Sequence, residues 1–259
     1  MSDVIEVSRD GSIATVALNR PDRMNALNLP MWRGLAEAFT ALSADKSVHV
    51  VVVRGAGDKV FAPGADIEEF DTHRANPTQA KAYDLVMRQA LDAVRDCPQP
   101  VVAAIYGPCV GGALELACCC DLRIAARSGR FGVPINKISV VMAYPELSAI
   151  RRVAGASAAL EILLEGRVFD ADEALAKGLI NRVVDDEAME AEIAATARRI
   201  AAGAPLANRW HKAFIRRLDD PAPVSPAELD ECYRFLETAD YAEGLAAFRA
   251  KRKPVFKAE

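Results

Sequence analysis

The stretch VVAAIYGPCVGGALELACCCD, residues 101–121, decides the fold class. Val101 to Ile105 form an unbroken apolar run of strand length, as expected of a strand covered on both faces. Gly107 and Pro108 then punctuate the chain, and Gly111 and Gly112 lead into Ala113-Leu114-Glu115-Leu116-Ala117, made of good helix formers. A helix that starts near Gly112 has first-turn amides with no intrahelical partner, which together form an anion site. Glu115 follows Gly112 by three residues, nearly one turn, and helical side chains lean back toward the N-terminus. Its carboxylate is therefore placed to flank the spot those amides face. Two influences oppose each other there: an apolar pocket raises the carboxyl pKa and a helix N-terminus lowers it.

On either side of this stretch, strand and helix patterns alternate. Val4 to Val7 and Ile13 to Leu18 read as strands joined through Asp10-Gly11, and Val48 to Val53 is a further β-branched run. Between them, Asn19 to Asn28 reads as an exposed loop carrying Arg20 and Arg23, followed by a helix with Met31, Leu35, Ala38, Phe39 and Leu42 on its apolar face. In Phe61-Ala62-Pro63-Gly64-Ala65-Asp66-Ile67, Pro63 and Gly64 force a turn, and Asp66 reads as a helix cap. Residues 71–78 read as a polar connection, and Ala80 to Val94 as a helix burying Tyr83, Met87, Ala90, Leu91 and Val94. Beyond Asp121, expected to fix a turn, come a strand at Leu122 to Ala125, a loop at Phe131 to Asn136, and a helix opening at Pro145-Glu146. Separate helices at Ala158 to Glu165 and Ala171 to Ala176 and a strand at Leu179 to Val184 complete the pattern. The class expected is α/β with a largely buried sheet. Helical patterning dominates from about residue 200, so the division expected is a core at 1–199 and a C-terminal helical region at 200–259.

The whole chain limits the function classes. Its 259 residues, 51% hydrophobic and 26% charged, have the balance of a soluble globular protein. A net charge of −4 with no long basic run argues against nucleic-acid binding. The start Met1 to Glu6 lacks a signal-peptide pattern and no apolar run reaches membrane-spanning length, so a cytoplasmic location away from membranes is expected. The cysteines at 97, 109, 118, 119, 120 and 232 lack metal-ligand spacing and read as small, buried, reduced core residues; no metal is expected. Neither Gly55-Ala56-Gly57-Asp58 nor Gly111-Gly112 makes a dinucleotide fingerprint.

With these residues in place, the chain resembles the crotonase superfamily of enoyl-CoA hydratases and isomerases over almost its full length. The resemblance rests on Leu18 to Pro21 with Asn25-Ala26-Leu27, on Phe61 to Ile67, on Gly111 to Ala117 with Cys120-Asp121, and on Phe131 to Pro134. Ala174 to Ile180 and the tail from Gly244 to Phe256 continue it in the same order. It implies a spiral of repeated β-β-α units, a helical region that joins subunits, and a homotrimer or dimer of trimers. It also implies an acyl-CoA thioester as substrate, coenzyme A entering as part of that substrate and no further cofactor being required. The thioester oxygen would receive the amides of Ala65 and Gly112, with Glu115 as acid/base. The CoA contacts implied are Arg23 and Met24, Ala62, Gly64, Asp66 and Ile67 in the turn, and Phe248 and Lys251 in the tail. Pro63 departs from the small residue usual before the glycine, but spares the Ala65 donor.

One departure bears on the reaction. Hydratases of the family carry a second glutamate just after the position of Pro134, where this chain has Ile135, and the acid that related isomerases place near Met142 and Ala143 is also missing. Glu146, in the first turn of the next helix, is the nearest acid and reads first as a helix cap. Tyr144 is the other polar residue nearby. A single carboxylate suits double-bond isomerisation, whereas hydration ordinarily uses two. Alternatives left open are a non-catalytic acyl-CoA binder, a decarboxylase, a C–C hydrolase and a thioesterase.

Overall fold

Val101 to Ile105 becomes strand β4, the strand on which both layers of core meet. Val101, Ala103 and Ile105 face one apolar cluster, and Val102 and Ala104 face a second on the other side of the sheet. β3 (Val50–Gly55) does the same, with Val51 and Val53 against Val50 and Val52. Period-two alternation between two buried faces explains why Val101 to Ile105 and Val50 to Val53 carry no polar residue.

The computed structural model describes residues 4–259. In the first half of the chain, β1 (Ile5–Asp10), β2 (Ile13–Leu18), α1 (Leu29–Ala44), β3, α2 (Phe70–His73), α3 (Pro77–Asp96) and β4 follow one another. Next come β5 (Pro108–Val110), α4 (Gly112–Cys119), β6 (Leu122–Ala126), β7 (Arg130–Gly132), α5 (Tyr144–Glu165), β8 (Phe169–Asp170), α6 (Ala171–Ala176) and β9 (Arg182–Val184). The chain ends in α7 (Met189–Ala201), α8 (Pro205–Arg217), α9 (Pro226–Glu231) and α10 (Ala239–Arg249). Six strands pair in the order β1-β2-β3-β4-β6-β9, parallel except for the β1-β2 hairpin, and β5, β7 and β8 form a smaller sheet. Buried faces of α1, α3 and α4 cover one side of the large sheet, and Met189, Ile193 and Ala197 of α7 cover the other. The α/β class expected of the sequence is the one observed.

Several local expectations change. Residues 71–78 are not a plain connection: 70–73 form α2, and Asn76 caps α3 by accepting from the Gln79 amide at 3.0 Å, with Pro77 at the first helical position. Phe131 to Asn136 is not all loop, since β7 and a 3-10 turn at Pro134–Ile138 divide it. Ala158 to Glu165 is set apart, as expected, from the opening segment of α5 by a kink at Gly155, whose φ is +79°, whereas the last strand begins only at Arg182. Five cysteines are buried, but Cys232 is exposed. Asp121 has the turn-fixing task expected of it and a further one. It accepts from the Val101 amide at 2.7 Å and pairs with Lys212 and Arg216 of α8 at 2.6 and 2.9 Å. One carboxylate thus ties the end of α4 to the C-terminal helices.

Candidate active site

Two glycine turns pack against each other beside β5. Gly64 has φ +117°, and a Cβ there would lie 3.0 Å from the Val110 carbonyl, so a side chain is excluded by both backbone strain and space. Gly111 has φ +55°, and a Cβ on it would come within 4.0 Å of Gly64 Cα. Bridges Leu27↔Ala65 and Ala62↔Cys109 pin the first turn on both sides. Its carbonyls and amides are used in order: Leu27 N donates to Gly64 O, and Asp66 N to Leu27 O, both at 2.8 Å. In the second turn Gly111 N donates to Gly132 O at 2.9 Å.

Among the amides left over are those of Ala65 and Gly112. Among the described residues neither has a hydrogen-bond partner, and a Cβ on Gly112 would stand 4.0 Å from Ala65 N. Trp32 of α1 backs Gly112, with its ring 3.5 Å from that same Cβ position, and is itself fixed by its indole N–H donating to the Tyr83 hydroxyl at 3.1 Å. Burial raises the Tyr83 hydroxyl to about 12, so it remains a neutral phenol. Both free amides border one cavity of about 310 Å³. Met87, Val110, Ile135, Val140 and Met142 give it an apolar lining.

Glu115 lines this cavity at the fourth helical position of α4 and is 6% exposed. Its Oε2 is buried without a partner. Burial raises its carboxyl from the ordinary 4.5 to about 8; the charge of Glu146 adds to this and Arg74 opposes it. Of the two opposing influences expected, desolvation wins, and Glu115 holds its proton at neutral pH. A consequence for stability follows. Because the folded-state value lies above the unfolded one, the contribution is complete below about pH 4.5 and is lost as pH rises toward about 8. At about 1.4 kcal/mol per pKa unit the loss is on the order of 5 kcal/mol. Thermal melts of Glu115→Gln and the parent protein should therefore diverge in the variant's favour between pH 5 and pH 9; parallel melting curves over that range would contradict the raised value.

Glu146 is not the helix cap expected. The start of α5 has no side-chain cap; Glu146 is instead 3% exposed, lines the cavity, and accepts from Arg88 Nε of α3 at 2.7 Å. Its Oε2, like that of Glu115, has no partner. Arg88 also lies 3.7 Å from Asp84, which pairs with Arg74 at 3.1 Å, and Arg74 rests on the rings of Phe70 and Tyr83. This chain of charges gave no motif in the sequence. Its only local signal is the Asp84–Arg88 spacing of one helical turn. Tyr144 is 89% exposed and does not line the cavity.

The remaining residues named from sequence fall in three places. Gly64 and Ile67 line the cavity beside Ala65. Asp66 caps the turn after it, accepting from the Glu68 amide at 3.2 Å and pairing with Arg20 at 3.0 Å; Ala62 is buried in its β-bridge. Arg23 pairs with Glu68 at 2.7 Å on the surface beside exposed Met24. Phe248 and Lys251 are exposed at the end of α10 and border no part of this cavity.

Comparison with known proteins gives the family. The family model for enoyl-CoA hydratase/isomerase matches residues 8–259. The crotonyl-CoA hydratase of Syntrophomonas wolfei is 32% identical, the match covering 97% of each chain. A crystal structure of an enoyl-CoA hydratase/carnithine racemase from Magnetospirillum magneticum superposes with a TM-score of 0.98 at 81% identity, covering 99% of this chain and 96% of that one. The enoyl-CoA hydratase of Bacillus anthracis superposes with a TM-score of 0.92 at 31% identity, covering 99% of this chain and all of the other. Free amides at paired glycine turns, a buried acid on the helix they open, and these full-length matches lead to one assignment: the chain belongs to the enoyl-CoA hydratase/isomerase family of enzymes.

Proposed function

We propose that the protein binds an acyl-CoA thioester with its carbonyl oxygen on the amides of Ala65 and Gly112, and that Glu115 exchanges a proton with the acyl carbons next to it. The observation that carries this reading is the convergence of two unpartnered amides and one unpartnered carboxyl on a single apolar cavity. Negative charge grows on the thioester oxygen as an enolate forms, so donors fixed there stabilise the transition state more than the ground state. Protein dipoles already in place need no reorganisation at that moment. The apolar lining takes the acyl chain.

Coenzyme A then extends past the Gly64–Ile67 turn toward Arg23 and Met24. Exposed Phe248 and Lys251 are assigned to a CoA contact made across a subunit boundary, since within one chain they lie away from the cavity. That assignment goes with a homotrimer or dimer of trimers built through residues 200–259. No helix among the described residues is long and apolar enough to cross a membrane, and we place the protein in the cytoplasm. Isothermal titration with a saturated acyl-CoA and with free CoA, alongside turnover of crotonyl-CoA, tests the reading. The thioester should bind more tightly than free CoA and crotonyl-CoA should be converted; equal affinity for both ligands with no conversion would overturn it.

A further inference from the structure

Two buried carboxyl groups, Glu115 on α4 and Glu146 on α5, line the same cavity, and each has an Oε2 without a partner among the described residues. A buried carboxylate is costly unless it is paired and hydrogen-bonded, and like charges close together do not both ionise readily. The surroundings differ in the way that resolves this conflict. Arg88 donates to Glu146 Oε1 at 2.7 Å, whereas among the described residues no cation pairs with Glu115. The other charged groups lining the cavity are Arg74, before α3, Asp84 on α3 and Lys137 in the 3-10 turn. Arg74 and Asp84 pair with each other at 3.1 Å, and Asp84 lies 3.7 Å from Arg88. The nearest bonded cation therefore sits against Glu146 and not against Glu115. Ile135 fills the loop position where a second acid was expected, and α5 supplies one from a different element.

We propose that Glu146 is the second catalytic carboxylate of this site, acting as the base that activates water for addition to an α,β-unsaturated acyl thioester, and that Arg88 is the residue that positions it. The inference rests on the thioester reading above. The Glu146 carboxylate takes a proton from water as the water oxygen bonds to Cβ. The Cα=Cβ electron pair moves toward the thioester, giving an enolate whose oxygen the Ala65 and Gly112 amides hold. The enolate then takes the Glu115 proton at Cα, and the C=C bond has gained one water. Glu146 is left protonated and Glu115 ionised; transfer of that proton from Glu146 to Glu115, through solvent admitted as the product leaves, restores the starting state.

The test uses crotonyl-CoA with the intact protein and the variants Glu146→Gln, Arg88→Met and Arg88→Lys, with titration of a saturated acyl-CoA as the binding readout. Glu146→Gln should lower kcat for hydration by about 10²–10⁴-fold, the contribution general base catalysis makes, while binding changes less than about threefold. Arg88→Met should lower kcat with little change in KM, and Arg88→Lys should recover part of the loss. If Glu146→Gln does not fold, the pair of Arg88 variants decides by the same split. A kcat for Glu146→Gln, or for Arg88→Met, within threefold of the parent would overturn the proposal for Glu146 and leave the thioester reading standing. A parent protein that binds no thioester and converts no crotonyl-CoA would overturn both.

Discussion

Glu115→Gln should lower kcat by about 10³-fold or more while thioester affinity stays within a few-fold of the parent. The substitution preserves shape and removes only the ability to give and take a proton. Glu115 meets the two conditions for a proton carrier: it lies in the same cavity as the free amides, and its pKa of about 8 is near the working pH. Its Oε2 is buried without a partner among the described residues, so no protein group holds the carboxyl's proton or lone pair there. A residue that merely filled the core would be hydrogen-bonded or apolar. The same raised value predicts an alkaline limb in the rate profile of an acid-dependent step, since Glu115 loses its proton above about pH 8. Stopped-flow turnover across pH, together with calorimetric binding to the variant, checks both parts; a variant of parental kcat would remove Glu115 from the chemistry.

Gly112→Pro should lower kcat by about 10²–10³-fold, the loss expected for one oxyanion donor, roughly 3 kcal/mol. The change is specific because Gly112 is the first residue of α4, a position that tolerates proline: its amide is already outside the helix ladder. Gly111 before it, with φ +55° and ψ −125°, occupies a mirror-image extended conformation compatible with a following proline. The proline Cβ meets the Trp32 ring at ordinary contact distance, 3.5 Å. Helix and core are therefore retained while the donor is removed and a ring methylene takes its place. A melting temperature near that of the parent with a kcat reduced to this extent is the expected pair of results. Unchanged kcat would mean that the Gly112 amide does not face the reacting oxygen.

Those two residues were legible because their signals are local. A covered strand, a paired glycine and an acid one turn later lie within 15 residues of sequence, counted from Val101 to Glu115, and physical rules of short range connect them. The turn at Gly64 was legible for the same reason, since a Pro-Gly pair constrains its own turn, whereas Ala65 as a donor entered only through the family resemblance. The Arg88–Glu146 pair joins residues 58 apart, on two helices whose packing depends on the whole fold. In α3 the periodicity picked out Tyr83 and Met87 as buried, and they are, but Asp84 and Arg88 at the edge of that face look like any solvated ion pair. Position alone made Glu146 look like a cap, since acids favour the first turn of a helix; only its burial against Arg88 gives it another role. The start of α3 was misread although its signals were present. Asn76 followed by Pro77 is both a turn former and a helix-start pair, and tertiary contact of α3 with α1 and α4 favours the second. The two helical segments read separately before and after residue 155 are divided in the structure by a kink at Gly155, φ +79°.

The central claim is that the cavity formed by Ala65, Gly112, Glu115 and Glu146 moves a proton at the carbon next to a thioester. Incubating the protein with crotonyl-CoA in deuterated water and reading the product by mass spectrometry and NMR tests it most directly. The parent should yield product carrying one deuterium at Cα, and Glu115→Gln should yield none above the uncatalysed background. Recovery of unlabelled crotonyl-CoA from parent protein that binds it would contradict the account.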